Sequence, residues 1–387
     1  MNIVYVCPTP TFYGDNIALL NIIPKLIDVG VNPYFILKSK CPMSERLDEL
    51  GLKYGIYKIS QSNIWYEYRG VRALLGMVRQ ELMVSHKEYR RLLSEIKAFK
   101  PDIIHTNCSL TLLGYNIAQD LHVPHIWHLR EYGELDHGYK RFPSKAAFLR
   151  KINNAGNYSI SITDDIYRYY GNPVNGIVIY DGVVNRNTQE SLASYNKNGY
   201  FLFVGRLIKT KGIEDVIDNF ITYRASHDRN AQLLIAGEGE SGYVNRLKDK
   251  CKKANCEANV IFLGYRSDVK ELMSKAKALI VASRFEAFGL ISVEAMLSGC
   301  PVIGHNVAGT KCQFDNGLKK TGHEIGLRYD KPGDILDRMI EIDTISEACV
   351  DEMRKYAQDT IYSFYDINEV ASKVSDFYKK ILLSKGI

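Results

Sequence analysis

The sequence predicts an α/β protein built from two Rossmann-like parallel-sheet domains. Three observations predict it. Short, continuously apolar runs alternate with amphipathic helical stretches, the pattern of buried parallel strands joined by crossover helices. The alternation stops at a polar stretch and then restarts. The chain has 387 residues, a length for two domains at about 150 residues each.

Taken in order, the strand runs of the first half are Ile3–Cys7, Tyr34–Leu37, Ile103–Thr106, His125–Leu129, Tyr158–Thr163 and Ile177–Tyr180. Helical patterns lie between them, notably Asn16–Asp28 and Val71–Phe99. The polar stretch Asn185–Asn198 (NRNTQESLASYNKN) reads as the linker. The second series has strands at Tyr200–Gly205, Gln232–Ala236, Val260–Gly264, Ala278–Ala282 and Pro301–Gly304. Its helices are Gly212–Thr222, Gly242–Ala254, Asp268–Lys275 and Gly289–Ser298. The expected organisation is an N-terminal domain at 1–184, a linker at 185–198, a C-terminal domain at 199–362 and a final helical segment at 363–387. Ligands of open α/β sheets bind beyond the carboxyl ends of the strands, so a central cleft between the two domains is the expected site.

Composition narrows the function. At 46% hydrophobic and 24% charged the chain is globular. Its apolar runs, such as Ala278–Ala282, fall far short of the roughly 18 residues a spanning helix needs. Met1–Cys7 has no basic segment before it and no long hydrophobic core after it, so it reads as a first strand and the expected location is cytoplasmic. Eight scattered cysteines without a CxxC pair read as reduced thiols. Residues 1–180 hold 21 Lys/Arg against 16 Asp/Glu, and residues 181–387 hold 29 against 28. With no basic stripe interleaved with aromatics, that balance argues against nucleic acid and suits an anionic substrate or surface. The segment Arg69–Lys100 carries Arg69, Arg72, Arg79, Lys87, Arg90, Arg91, Lys97 and Lys100 around a core-facing apolar stripe. It reads as a solvated basic face, with peripheral docking on the inner membrane as the functional alternative.

Two motifs carry chemistry. In VGRLIKTKG (Val204–Gly212) a strand ends, Arg206 and Lys211 follow, and a helix begins. Two cations beside a helix N-terminus suit a diphosphate. In EAFGLISVE, Glu286 lies in the loop after a strand, Gly289 opens a helix, and Glu294 follows eight residues after Glu286. The amides of Phe288, Gly289 and Leu290 form an anion site at the helix start. Ionised carboxylates accept from sugar hydroxyls. The plainer reading has Glu286 capping the helix and Glu294 at the surface.

VGRLIKTKG followed by EAFGLISVEAMLSGCPVIG resembles the retaining nucleotide-sugar glycosyltransferases of family 4, which have the GT-B fold. The likeness is strong from Tyr200 to Gly304 and weaker in the first half. It implies that Arg206 and Lys211 bind the donor diphosphate, Glu294 the ribose, and Glu286 the transferred sugar, with the amides near Phe288–Leu290 on sugar and phosphate. It places the nucleobase beside Gly264-Tyr265-Arg266, assigns Gly14 to the N-terminal phosphate loop, and makes His128, at the end of its strand, face the reacting sugar. It also implies that the last helix, Ile367–Leu383, crosses back to the first domain. With no Asp-Xaa-Asp after a strand, fixed cations are expected in place of a metal, and no cofactor is expected beyond the nucleotide-sugar co-substrate. The acceptor is expected to be a glycan or lipid-linked hydroxyl, in surface-polysaccharide synthesis.

The sequence departs from the family pattern at Tyr13-Gly14-Asp15, at Asp181-Gly182-Val183-Val184 and at Ala308-Gly309-Thr310-Lys311-Cys312. Rival readings are a GT-B sugar-nucleotide epimerase, a non-catalytic GT-B scaffold, and a dinucleotide oxidoreductase suggested by Gly237-Glu-Gly-Glu-Ser-Gly242. That last fingerprint lacks its acidic residue at a strand end: Glu257 precedes Val260–Gly264.

Overall fold

The computed structural model describes residues 1–9, 14–59, 61–65, 76, 86–188, 192 and 194–384. Two compact units divide the chain: Met1–Val184 with Tyr365–Ile387, and Asn185–Phe364.

The strands of the first unit are β1 (Asn2–Cys7), β2 (Asn32–Leu37), β3 (Lys53–Ile56), β4 (Ile64–Trp65), β5 (Ile103–Thr106), β6 (His125–Leu129), β7 (Lys140–Arg141), β8 (Asn157–Ser161) and β9 (Gly176–Val178). Seven of them form a parallel sheet in the order β3-β2-β1-β5-β6-β8-β9, and β4 pairs with β7 in a small antiparallel ribbon. The strand β1 explains why its run is apolar throughout. Ile3, Tyr5 and Cys7 join the core on one face while Val4 and Val6 join a separate core on the other. A strand covered on both sides has no polar face to show.

The helix Ile367–Leu383 completes the first of these cores. Val370, Ala371, Val374, Phe377, Tyr378, Ile381 and Leu382 form its buried stripe, at helical spacing. The stripe packs against the helix Gly14–Asp28. Asp366 caps the helix, accepting from the amides of Asn368 and Glu369 at 2.9 and 3.1 Å.

The second unit contains β10 (Phe201–Val204), β11 (Leu233–Ala236), β12 (Val260–Gly264), β13 (Ala278–Val281), β14 (Val302–His305) and β15 (Leu327–Tyr329). They form one parallel sheet, ordered β12-β11-β10-β13-β14-β15.

The sequence pattern misses β3, β15 and the β4–β7 ribbon, and runs β8 and β9 two residues too long. In β3, Lys-Tyr-Gly-Ile offers no continuous apolar run, and the strand sits at the sheet edge with no fully buried residue. Of the expected helix Val71–Phe99, residues 71–75 and 77–85 lie outside the described residues. The described part, His86–Phe99, buries Leu92 and Ile96, while Arg91 pairs outward with Glu88 and Glu95 at 3.7 and 3.0 Å. All eight cysteines are free thiols. No helix among the described residues is long and apolar enough to cross a membrane.

Candidate active site

In the second unit the chain runs outward from β10 to β11 and β12, then returns to lay β13 on the other side of β10. The loops after β10 and β13 therefore leave neighbouring strands in opposite directions, which opens a crevice at the strand ends. Arg206 and Lys211 occupy the first loop, Glu286 to Gly289 the second.

The two loops are tied together. Arg284 N donates to Thr210 O at 3.0 Å, and Lys211 Nζ donates to Glu286 Oε2 at 2.5 Å. The group assigned to phosphate and the group assigned to sugar thus form one half-buried ion pair, whereas the sequence treats them as separate. Arg206 is exposed and makes no ion pair among the described residues. The reading of Glu286 as a helix cap is overturned: among the described residues no side chain caps the helix Leu290–Leu297. Its N-cap is Gly289, at φ +85°, a left-handed conformation that glycine adopts without strain.

A second helix braces this turn. Ala308–Thr321 starts against it, with Gly309 N donating to Glu286 O at 2.7 Å. A Cβ at position 309 would stand 2.5 Å from Phe288 O and 2.6 Å from Glu286 O. Buried Gln313 donates through Nε2 to Phe288 O at 2.6 Å and Gly289 O at 3.1 Å. Phe288 is itself buried and Leu290 half-buried. Gln313 carries no signal in the sequence, because a glutamine inside a helix has no distinctive spacing.

Glu294 lies within the helix Leu290–Leu297 with its side chain exposed, and the protein around it raises its carboxyl above the usual carboxylate range. Tyr265 and Arg266 stand apart, after the edge strand β12. Tyr265 is 75% exposed. Arg266 is not a free cation: its Nε donates to Asp268 Oδ1 at 2.7 Å. The glycines of Gly237–Gly242 have a steric explanation. A Cβ at Gly237 would lie 1.9 Å from Gly205 O, and one at Gly239 2.4 Å from Leu207 O. Glycine is needed there so that the loops after β10 and β11 can touch.

The first unit has a switch point between β1 and β5. Gly14 begins the helix after β1, and residues 10–13 before it lie outside the described residues. His128 does not end its strand, since β6 continues to Leu129, and it is not a lone histidine. It is 3% exposed, with Nδ1 at 3.0 Å from His105 Nε2 and 3.4 Å from Arg130 Nη2. Burial, Arg130 and the neighbouring imidazole hold its pKa well below the ordinary histidine value, so the ring is neutral. Arg130 forms a buried ion pair with Asp181 and donates through Nε to Asn107 Oδ1 at 3.0 Å. Asn107 Nδ2 in turn donates to Asp15 O at 3.1 Å. Burial raises the Asp181 carboxyl and Arg130 opposes the shift. Asn107, Arg130 and Asp181 do not stand out as a group in the sequence. The available signal was opposite charges immediately after two strand runs, at Arg130 and Asp181.

Residues 184–340 match the family model described as glycosyl transferases group 1. The chain is a glycosyltransferase that carries a group 1 segment. This glycosyltransferase is 26% identical over 329 residues to an uncharacterised glycosyltransferase of Methanocaldococcus jannaschii, covering 77% of this chain and 80% of that one. It is also 26% identical to the alpha-monoglucosyldiacylglycerol synthase of Streptococcus pneumoniae, over 78% of this chain and 71% of the synthase. Among solved structures, Anabaena HepE in complex with UDP superposes with a TM-score of 0.77 at 19% identity, covering 98% of this chain and all of that one. The fold of the glycosyltransferase is GT-B, with a Rossmann-like sheet in each unit.

Proposed function

We propose that this glycosyltransferase moves a sugar, with retention at the anomeric carbon, from a nucleoside-diphosphate sugar to a hydroxyl of a glycan or lipid-linked acceptor, in surface-polysaccharide synthesis. The observation that carries this reading is the grouping of Arg206, the Lys211–Glu286 pair and the uncapped Gly289 helix start at one switch point. HepE is described bound to UDP and to UDP-glucose, and the streptococcal synthase is named for a glucosylated diacylglycerol. A UDP-sugar donor and a lipid-linked acceptor are therefore the first to try.

In this reading the bond between the anomeric carbon and the diphosphate oxygen breaks, and its electron pair leaves with the diphosphate. Arg206, Lys211 and the amides at Gly289 and Leu290 stabilise that growing negative charge. The acceptor oxygen bonds to the same face of the sugar, and its proton passes to the departing phosphate oxygen. Glu286 accepts from sugar hydroxyls while holding Lys211 toward the diphosphate. Glu294, the other carboxylate of the motif, takes the ribose.

The test is a thermal-shift screen of UDP-, GDP- and ADP-sugars, followed by turnover with acceptor. A donor at 100 times its dissociation constant should stabilise the protein by about 2.7 kcal/mol. Product should form only when acceptor is present. An epimerised nucleotide sugar formed without acceptor, or no nucleotide stabilising the protein, would reject the transferase reading.

A further inference from the structure

The first unit holds a cavity of about 320 Å³. Its walls come from the loop after β6, from β7, from the start of the helix Lys145–Ile152 and from the end of the helix Asp164–Tyr169. Tyr132, Tyr139, Tyr169 and Tyr170 line it together with Arg141 and Lys145. Three of the rings form one packed wall: Tyr132 and Tyr170 each meet Tyr169 edge to face, with ring centres 5.1 and 5.2 Å apart. Hydrogen bonds fix two of them, from Tyr170 Oη to Glu131 O at 2.8 Å and from Tyr132 Oη to the Asp165 carboxylate.

The charges of this cavity are unbalanced. Arg141 is 9% exposed, yet it donates to neutral oxygens: Ser109 O, Ser109 Oγ and, at 2.9 Å, Tyr170 Oη. No carboxylate pairs with it among the described residues, whereas a buried guanidinium is normally matched by an anion. Glu131 is joined to it through Ser109 Oγ, but burial pushes that carboxyl above the usual carboxylate range, against ionisation. Lys145 Nζ lies over the Tyr169 ring at 3.4 Å, partly desolvated, and it too makes no ion pair among the described residues. Glu134 and Lys140 also line the cavity and carry opposite charges.

We propose that this cavity binds an anionic saccharide unit: one sugar carrying a carboxylate or a phosphate, its acid group on Arg141 and Lys145 and its ring against the tyrosines. Size and charge select that class. Ligand pockets run from about 300 to 1,000 Å³, so this one lies at the small end and takes a single sugar. The acid group supplies the counter-charge that Arg141 lacks. A cationic ligand, which a tyrosine box would otherwise attract, is repelled by the same two side chains. An aromatic wall with hydroxyls at its edge suits a ring that is apolar on its faces and polar around its rim. Glycans containing an acidic sugar would be retained on the first unit, and neutral ones would not. Nothing in this depends on the transfer reading: Arg206, Lys211, Glu286 and Glu294 belong to the second unit, the cavity to the first.

Saturation-transfer NMR and calorimetric titration of the full-length protein with D-glucuronate, glucose 6-phosphate, D-glucose and inorganic phosphate test this. Both acidic sugars should bind about tenfold tighter than glucose or better, since glucose lacks the charge-assisted bonds. Glucose 6-phosphate should also bind tighter than inorganic phosphate, which has no ring to lay on the tyrosines. Lys145→Gln removes one charge outside the core and should weaken both acidic sugars about tenfold, the size of one charge-assisted bond, with thermal unfolding unchanged. Arg206→Ala should leave both affinities as they are, which separates this cavity from the cations assigned to the donor. Four results overturn the proposal: neither acidic sugar binding at millimolar concentration, glucose or inorganic phosphate binding as tightly as the acidic sugars, full affinity in Lys145→Gln, or acidic-sugar binding lost in Arg206→Ala.

Discussion

Arg206 and Lys211 lie five residues apart in sequence yet meet different surroundings. Arg206 is exposed, whereas Lys211 spends its charge on Glu286. Both should still matter for the leaving group: Arg206→Ala and Lys211→Ala should each lower turnover by a factor on the order of 10²–10³, as loss of an oxyanion donor does. Steady-state kinetics with a competent donor reads this, and near wild-type turnover in both variants would remove the diphosphate assignment. The residue types and their strand-end positions were legible in the sequence. The ion pair was not, because it joins positions 75 residues apart. Buried histidine was equally hidden. His125 sits fully inside the first unit, bonded to Thr106 Oγ1 at 2.8 Å and Asn157 Oδ1 at 3.2 Å, and burial lowers its pKa from 6.5 to about 3. A lowered histidine pKa gives stability that is present above the free value and lost as pH falls through the window from 6.5 to about 3. Between neutral pH and about pH 5, His125 alone should cost the first unit about 2 kcal/mol. Urea unfolding at the two pH values checks this. His125→Gln should be less stable at neutral pH but should lack that share of the pH dependence.

Elements were legible where both faces are buried. Strands such as β1 and β13 read as uninterrupted apolar runs because packing demands it. β3 and β15 did not, because a half-buried edge or a three-residue strand leaves no pattern to read. Glycine patterns were ambiguous for a physical reason: close approach of two loops and close approach to a phosphate call for the same residue. Gly237 and Gly239 serve the first. Gly309 belongs to this scale as well, where the helix Ala308–Thr321 leans on the Glu286–Gly289 turn. Gly309→Ala would push that helix off two backbone carbonyls that cannot yield cheaply. Gln313→Ala would leave the Phe288 carbonyl without that donor, at about 1–3 kcal/mol for a buried group. Both variants should weaken donor binding by about tenfold or more. Gln313→Ala should also lower the unfolding free energy of the second unit by that same amount. Calorimetric titration with a nucleoside diphosphate and urea unfolding would read the two effects, and unchanged affinity in both variants would show that the turn does not depend on its brace.

At the scale of the whole chain, the first unit is closed by residues that come last in sequence. The helix Ile367–Leu383 places seven buried side chains against a core that otherwise ends at Ile179. Fully burying a large apolar side chain contributes about 1.5–3 kcal/mol, so the helix contributes on the order of 10 kcal/mol. That is comparable to the roughly 5–15 kcal/mol that holds a whole domain folded. Truncation after Phe364 should therefore abolish folding of the first unit. The second unit, Asn185–Phe364, has its own core, running from Phe201 to Val350. It should keep a cooperative transition and its nucleoside-diphosphate binding, because Arg206, Lys211, Glu286 and Gly289 all lie within it. Hydrogen exchange on the truncated chain separates the outcomes. Loss of protection in β1, β5 and β6 with protection retained in β10 and β13 is expected. Retained protection in both sheets would mean that the first unit's core stands without its last helix.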